Sequence, residues 1–347
     1  EVFVLKRIFL ERGDKYRLSG LREAVFGRRL ASRPEVARFV EAFNRTGPEQ
    51  EGGKAELWLV FRHEGSSLDS MLYTRVESGA TLMLKPSAMW QRMRQDMEGA
   101  LIRREIVRQI LEGMVQVSRA NVAHRDLKPS NLLVSKAPAN VRHRAPQGRG
   151  FERVGFQLKI SDFGSALDCV DGHLNAKLYG PDGPTAEEET HWYRPPEAFL
   201  AGVTSVRFPY LANDQTGLND PSSRLPLHAF DVWSVGVIAL ELLLGTAQVF
   251  QLEARARARI DMELQRTAYL YPEPGAIDAV RELRCALAAL EMFGISPNRR
   301  NKTQFNLTIT ARDPFARGFY FDTLAARGRF TWSEVRLFGE EELDLIW

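Results

Sequence analysis

The feature that most constrains the fold of this chain is an eight-residue string, His-Arg-Asp-Leu-Lys-Pro-Ser-Asn, at 124–131. It follows a stretch, Ile102–Val117, whose apolar residues recur at helical spacing and predict an amphipathic helix. Two short β-rich runs come next, at Leu132–Val134 and Phe156–Ile160, and the tripeptide Asp-Phe-Gly follows at 162–164. Either polar motif alone is a weak signal. Helix, loop, strand, strand and loop in this order restrict the fold strongly.

Two further landmarks lie downstream of these motifs. Residues 190–197 are Thr-His-Trp-Tyr-Arg-Pro-Pro-Glu, and Phe230–Gly245 is apolar on nearly every face, which predicts a helix in the middle of a large core. Together with the string at 124–131, this series resembles the signature set of the eukaryotic protein kinase family. Lys128, two residues after Asp126, resembles the serine/threonine form of the family.

The resemblance implies an α+β, two-lobed protein-kinase-like fold. An incomplete small N-lobe sheet would occupy residues 1–64, and a mainly helical C-lobe would occupy residues 65–347. The segment 136–154 holds five basic residues against one acid, with Pro and Gly throughout, and we interpret it as an exposed basic insertion. Within the N-lobe the pattern predicts strands at Val2–Leu5, Val36–Phe43 and Leu57–Phe61, and a helix at about Leu21–Ala31.

The resemblance also implies a reaction, the transfer of the ATP γ-phosphoryl group to a Ser or Thr hydroxyl of a protein substrate. Asp126 would orient that hydroxyl and accept its proton. Lys128 would lie beside the transferring phosphoryl group and offset its charge. Asn131 and Asp162 would supply hard oxygen ligands to Mg²⁺, so the expected cofactors are ATP and Mg²⁺.

The first strand, Val2-Phe3-Val4-Leu5-Lys6, resembles the Val-Ala-Ile-Lys strand of the family. Lys6 would therefore pair with the ATP α- and β-phosphates, and Glu23, in the following helix, would be its acidic partner. Glu11 and Glu41 are less well placed for that role. The simpler alternatives are an exposed lysine at a strand end and a glutamate on a solvated helix face.

The strand Leu57–Phe61 resembles the one that leads into the hinge between the lobes of a kinase. Phe61 would then limit the rear of the adenine pocket. The backbone of Arg62, His63 and Glu64 would meet the adenine base. Leu133, in the strand after the catalytic string, is also expected at the nucleotide site.

Residues 162–197 resemble an activation segment. Thr190 would hydrogen-bond the catalytic loop, and Thr185 is a candidate phosphosite whose phosphate could pair with Arg125. The acidic run Glu187–Glu189 would repel such a phosphate, and it could instead supply the negative charge permanently. Both readings stay open at this point.

The remaining predicted residues are structural or regulatory. Asp231 would cap the buried helix and, by the resemblance, anchor the backbone of the catalytic loop from below. Glu197 would pair with an arginine late in the C-lobe, for which Asp313–Arg317 offers the matching letters. The motif residues assigned to this group are His124, Arg125, Phe163 and Gly164.

Composition excludes several other classes of protein. Basic residues number 47 and acidic residues 44, a net charge of +3 that does not demand a nucleic acid partner. No apolar stretch is long enough to span a membrane, and no secretory signal is recognisable. Two cysteines cannot form a disulfide framework, which favours a reducing, cytoplasmic setting inside the cell. The oligomeric state leaves no trace in the sequence.

Only five residues precede Lys6, so a Gly-rich phosphate-binding loop is absent from the sequence. We therefore expect a kinase domain truncated at both ends. Three functions remain: an active Ser/Thr kinase, a catalytically incompetent fragment or pseudokinase-like binding or scaffold module, and a kinase-fold enzyme that acts on small molecules. The intact catalytic residues favour the first, and the missing loop favours the second.

Overall fold

The structure is a computed structural model of the whole chain. The parts that it describes are residues 1–46, 55–78, 81–95, 97–136, 155–180, 183–185, 188–195, 198, 228–247, 249, 252, 254–270, 272, 275–291, 295–297 and 305–307.

The N-terminal part is a three-stranded antiparallel sheet covered by one long helix. Its strands lie in the order β1-β3-β2, and Lys6 of β1 is opposite Leu59 of β3. The helix approaches the sheet closely at Gly20 and Gly27, where an added Cβ would lie 2.9 Å from Leu57 and 3.0 Å from Phe39. These glycines are seven residues apart and so share one face of the helix. The elements are β1 (Phe3–Phe9), α1 (Asp14–Leu30), β2 (Phe39–Thr46) and β3 (Ala55–Arg62).

Several predicted boundaries in this part were wrong, and the first strand continues to Phe9 rather than ending at Leu5. Helix α1 begins seven residues before Leu21, because its first two turns contain few apolar side chains, Tyr16 and Leu18 among polar residues. The second strand begins at Phe39 rather than at Val36. Val36 instead forms a parallel bridge with Ile160, which joins the N-terminal part to a strand of the C-terminal part.

The C-terminal part is mainly helical. Its helices are α2 (Leu68–Leu72), α3 (Ala88–Met93), α4 (Met97–Arg119), α5 (Gly172–Tyr179), α6 (His228–Leu244), α7 (Ala254–Arg266) and α8 (Ala276–Glu291). Its strands are β4 (Ser66–Ser67), β5 (Tyr73–Ser78), β6 (Thr81–Pro86), β7 (Val122–Ala123), β8 (Leu132–Lys136), β9 (Phe156–Ile160), β10 (Leu167–Asp168), β11 (Ile295–Pro297) and β12 (Phe305–Leu307).

The main core forms around α4 and α6. Ile106 and Ile110 of α4 are buried in one cluster with Ile238 and Leu242 of α6. Helix α6 is apolar on most of its faces, as the sequence predicts, and it is covered by protein on most of them. Among the described residues, no helix is long and apolar enough to cross a membrane.

Three short strands position the polar loops of the C-terminal part. Strands β4, β8 and β9 form an antiparallel sheet, in which Leu132 is opposite Ile160. Asn131 immediately precedes β8, and Asp162 lies two residues after β9. The pairing therefore brings the two loops together, and the Ser161 amide donates to the Asn131 carbonyl at 2.9 Å.

Some predicted features fall outside the described residues. The basic insertion at 136–154 is described only at Lys136, the last residue of β8. Glu197 and its proposed partner segment Asp313–Arg317 are not described, and neither is Glu187.

Candidate active site

Lys6 joins three elements of the structure. Its Nζ lies 2.7 Å from Oε2 of Glu23 in α1 and 3.2 Å from Oδ1 of Asp162, which follows β9. Glu23 is buried, whereas the side chains of Lys6 and Asp162 remain 39% and 42% exposed. One end of this cluster is therefore fixed inside the protein, and the other end is open to a ligand.

Burial and charge act against each other in this cluster. Burial disfavours the charge of Lys6, but the carboxylates of Glu23 and Asp162 outweigh it and raise the pKa of the ammonium group. Burial raises the pKa of Glu23 to about 7, and the Asp162 charge adds to that rise while Lys6 opposes it. Burial also opposes the charge of Asp162, yet Lys6 and His124 hold its pKa below the ordinary value. Two carboxylates share one ammonium here, so a further cation near Asp162 is electrostatically favoured.

The catalytic loop is held from below by Asp231 in α6, which is fully buried. Its Oδ2 accepts from the His124 amide and its Oδ1 from the Arg125 amide, both at 2.8 Å. The two bonds fix the loop where Arg125 adopts a left-handed φ of 65°, a conformation that costs a non-glycine residue about 1 kcal/mol or more. The His124 ring packs against Phe163 at a centroid distance of 4.8 Å, which ties this loop to the Asp-Phe-Gly loop.

Asp126 lies at the centre of a closed hydrogen-bond network. Lys128 Nζ donates to Asp126 Oδ2 at 2.7 Å and to Thr190 Oγ1 at 2.6 Å. Thr190 in turn donates to Asp126 Oδ1, from its hydroxyl at 2.6 Å and from its amide at 3.0 Å. The structure thus brings together Asp126 and Lys128, which the sequence assigns to the reacting hydroxyl and phosphoryl groups, and Thr190, which bonds to both.

The residues present fit a magnesium ion held jointly by protein and nucleotide. The Asn131 amide nitrogen donates to the Asp126 carbonyl at 2.8 Å, which turns the amide oxygen away from Asp126. Asp162 is ionised and partly exposed. No cluster of three His, Cys, Asp or Glu side chains suited to a metal occurs in the described ranges. Mg²⁺ is commonly bound by one or two protein oxygens and completed by phosphates and water, so Asp162 and Asn131 are a sufficient pair.

The amides of two predicted hinge residues bond within the protein. The Arg62 amide donates to the Arg38 carbonyl, and the His63 amide donates to the Val2 carbonyl, both at 2.9 Å. These two donors are engaged inside the protein, so they do not face an adenine base in this conformation. The predicted contact of an adenine base with the backbone of Arg62, His63 and Glu64 therefore stays a prediction, and these two amides are not the groups that would make it in this arrangement.

Of the other predicted pocket residues, Phe61 and Leu133 lie in β3 and β8, and Glu64 lies just after β3. Phe61 packs edge-on against Phe39 at a centroid distance of 5.5 Å. Glu64 forms an ion pair with Lys159 at 2.8 Å. Leu133 is half-buried in the middle of β8.

The activation-segment residues divide into a buried and an exposed set. Glu189 is buried in an ion pair with Arg125, whereas Thr185 is exposed and its amide donates to Glu188 at 3.0 Å. Gly164 accepts from the side chain of Arg22 at 2.5 Å. Sequence reasoning missed Arg22, although an arginine directly before the predicted Glu23 is a signal that could have found it.

A family model for the protein kinase domain matches residues 1–278. The match covers about four fifths of the chain, which therefore belongs to the protein kinase family. The predicted family and its kinase-like α+β fold are confirmed.

Similar curated proteins include a probable inactive kinase and kinases of the serine/threonine and mitogen-activated classes. A probable inactive protein kinase of Arabidopsis thaliana is 32% identical over 247 residues, which are 66% of this chain and 57% of that protein. The chloroplastic serine/threonine-protein kinase STN8 of the same plant is 29% identical over 206 residues, 56% of this chain and 34% of that protein. The mitogen-activated protein kinase spm1 of Schizosaccharomyces pombe is 34% identical over 138 residues, 40% of this chain and 22% of that protein. The chain thus spans little more than half of the first relative and about a third of the second.

Among solved structures, the chain resembles one in the CAK complex of Chaetomium thermophilum bound to ATP-gamma-S. The TM-score is 0.45 and the sequence identity is 18%, over 94% of this chain and 72% of that chain.

Proposed function

We propose that this chain is the catalytic part of a protein serine/threonine kinase, which transfers the γ-phosphoryl group of ATP to a Ser or Thr hydroxyl of a protein substrate. The observation that carries the proposal is the position of Lys6, whose ammonium group bridges Glu23 and Asp162. Phosphoryl transfer depends mainly on positioning and charge, and this bridge aligns the phosphate-binding cation with the metal-binding carboxylate before any ligand arrives.

Each polar residue of the site has a separate task in this proposal. Lys6 binds the α- and β-phosphates, and Glu23 keeps its ammonium group in place. Asp126 orients the acceptor hydroxyl and takes its proton, while Lys128 offsets charge on the transferring group. Thr190 fixes the rotamers of both through the hydrogen bonds described above.

Asp162 and Asn131 would hold Mg²⁺, which offsets the negative charge of the phosphate oxygens when it is bound. Leu133, Phe61 and the segment Arg62–Glu64 line the adenine side. Since two hinge amides are engaged internally, the base is held by apolar packing and by the other backbone groups of this segment.

In the same proposal, residues 1–64 form the smaller lobe and residues 65–347 the larger one. We also place the activity inside the cell, in the cytoplasm. Cys169 and Cys285 are both free, as expected of a reducing compartment.

The second candidate is a kinase-fold binding module without activity. The engaged amides of Arg62 and His63 favour it, because they remove two donors from the expected base contact. The similarity to a probable inactive kinase points in the same direction.

Binding of Mg-ATP to the purified chain, measured by thermal shift, is the first step and tests whether the site takes a nucleotide. Specific binding at a hundredfold excess over Kd raises the stability by about 2.7 kcal/mol. The matched control is Asp162→Ala, which removes the exposed metal-binding carboxylate and should abolish the shift.

Transfer of radiolabelled phosphate to a generic protein substrate is the second step, with Asp126→Asn as control. Phosphate transfer by the parent chain, together with no transfer by Asp126→Asn, would support the proposal that the chain is an active kinase. Binding without transfer would support the inactive module, and neither binding nor transfer by a folded chain would exclude both an enzyme and a nucleotide-binding role.

A further inference from the structure

Two adjacent carboxylates, Glu188 and Glu189, lie between arginines from three separate elements. The Glu189 side chain is completely buried and pairs with Arg125 of the catalytic loop, which is also completely buried. Its second oxygen lies 3.1 Å from Nε of Arg194. A buried charge needs such partners, because removing one of them leaves the other charge uncompensated.

Glu188 forms an ion pair with the third arginine, Arg22. Arg22 of α1 is 2% exposed, and its Nη2 lies 3.1 Å from Glu188 Oε1. The same guanidinium group donates to the carbonyls of Gly164 at 2.5 Å and Leu178 at 3.0 Å. It also lies over the Tyr179 ring at 4.0 Å from the centroid. One side chain of α1 is thus joined to the Asp-Phe-Gly loop, to α5 and to the acidic pair.

The three arginines are next to the residues that the reaction requires. Arg22 directly precedes Glu23, and Arg125 directly precedes Asp126. Arg194 lies four residues after Thr190, and its Nη2 also donates to the Glu189 carbonyl at 3.2 Å. The negative charge of the pair therefore acts on both ends of the active site, the Lys6 end and the Asp126 end.

A phosphate on Thr185 could not pair with the arginines of this cluster. The side chain of Thr185 is exposed, and its amide is bound to Glu188. Arg125 and Arg22 already pair with the two glutamates. A phosphate on Thr185 would add about −1.5 to −2 charges next to Glu188, which is repulsive.

We propose that Glu188 and Glu189 are positioning residues whose fixed charge orders α1, the catalytic loop and the activation segment without phosphorylation of Thr185. The proposal rests on the proposed kinase function. Glu188 acts through Arg22 on the Lys6–Glu23 pair, and Glu189 acts through Arg125 and Arg194 on Asp126 and Thr190.

The first test is steady-state kinetics of Glu188→Gln and Glu189→Gln, which keep side-chain size and remove charge. Glu188→Gln should chiefly raise the KM for ATP, because Arg22 loses its ion pair and α1 then holds Glu23 less firmly against Lys6. Glu189→Gln should chiefly lower kcat, by about tenfold or more, because the Asp126 loop loses its anchor. Glu189→Asp, which restores the charge, should recover part of kcat.

Two control variants separate this role from a general loss of charge or of a phosphosite. Glu112→Gln removes a surface carboxylate that pairs with Arg108 on α4, and it should leave kcat and KM unchanged. Thr185→Ala should also match the parent chain, before and after phosphatase treatment. Loss of activity in Thr185→Ala or after phosphatase would overturn the proposal, as would Glu189→Gln kinetics equal to those of Glu112→Gln.

Hydrogen exchange gives a readout that does not require catalysis. Glu188→Gln and Glu189→Gln should speed amide exchange in 14–30, 122–131 and 163–180 relative to Glu112→Gln. If the parent chain transfers no phosphate but exchange rises in the two variants, the kinase function fails and the positioning role stands. If exchange is unchanged, the positioning role fails whatever the activity.

Discussion

Replacing Glu241 with glutamine should change how the stability of the protein depends on pH. Glu241 lies in α6, fully buried, and accepts hydrogen bonds from the hydroxyls of Tyr73 and Tyr193, the latter at 2.7 Å. It therefore joins α6 to β5 and to the end of the activation segment. Burial raises the pKa of its carboxyl group to about 7, although both hydroxyls favour the ionised form.

The sign and size of the effect follow from that pKa. The folded chain holds the Glu241 proton up to about pH 7, whereas the unfolded chain releases it near the ordinary value of 4.5. Stability is therefore lost as pH rises through this window, at about 1.4 kcal/mol per pH unit. Between pH 5 and pH 8 the loss amounts to about 2.5 kcal/mol. Glutamine does not titrate, so Glu241→Gln lacks this loss.

Urea denaturation of both proteins at pH 5 and pH 8, followed by tryptophan fluorescence, measures the effect. The free energy of unfolding of the parent chain, minus that of Glu241→Gln, should fall by about 2 to 3 kcal/mol from pH 5 to pH 8. Tyr73→Phe removes one of the two donors and serves as the matched variant, with a further loss of stability at pH 8. Equal pH profiles for the parent chain and Glu241→Gln would refute the reasoning.

Three further substitutions have expected outcomes. Gly65→Ala should lower the free energy of unfolding by about 2 kcal/mol or more, and with it the melting temperature. The reason is that φ at Gly65 is +110° and the new Cβ would lie 2.1 Å from the Val134 carbonyl oxygen. A melting temperature equal to that of the parent chain would contradict this. Asp231→Ala leaves two buried amides without an acceptor and should lower the free energy of unfolding, measured by urea denaturation, by about 2 to 5 kcal/mol. Asp231→Asn keeps one acceptor oxygen, so its free energy of unfolding should lie between those of Asp231→Ala and the parent chain. Lys6→Met removes the cation beside Asp162 and should lower kcat/KM for ATP by about a hundredfold or more. It should also lower the free energy of unfolding, because the buried carboxylate of Glu23 loses its partner. An unchanged kcat/KM in the folded variant would argue against the role of Lys6.

The main polar residues of the site could be predicted from the sequence because most of them lie close together in one short motif. Asp126, Lys128 and Asn131 lie within six residues, and the strand pairing that brings Asp162 to them follows from two short β-rich runs. The pairing of Lys6 with Glu23 was inferred through the family resemblance, since no spacing within the sequence itself joins a strand lysine to that glutamate.

Contacts between distant segments were not readable in this way. The burial of Arg22 depends on Gly164, Leu178 and Glu188, which lie more than a hundred residues away in the chain. The hydrogen bond from the His63 amide to the Val2 carbonyl depends on the register of β1 against β3. The alternation of side chains along a strand does not reveal that register. The start of α1 was missed because its first two turns have too few apolar side chains to show a clear helical repeat.

The parallel bridge beyond α1 has a mechanical consequence. The Ala37 amide donates to the Ile160 carbonyl at 2.8 Å, and the Ile160 amide donates to the Glu35 carbonyl at 2.9 Å. These bonds fix the chain just past the C-terminal end of α1, so a rotation of the helix about this point would displace its N-terminal half the most. Glu23 lies roughly 10 Å along the helix from that end, and a swing of about 15° would displace it by about 3 Å. Such a swing would separate Glu23 from Lys6 without breaking a single backbone bond of the sheet.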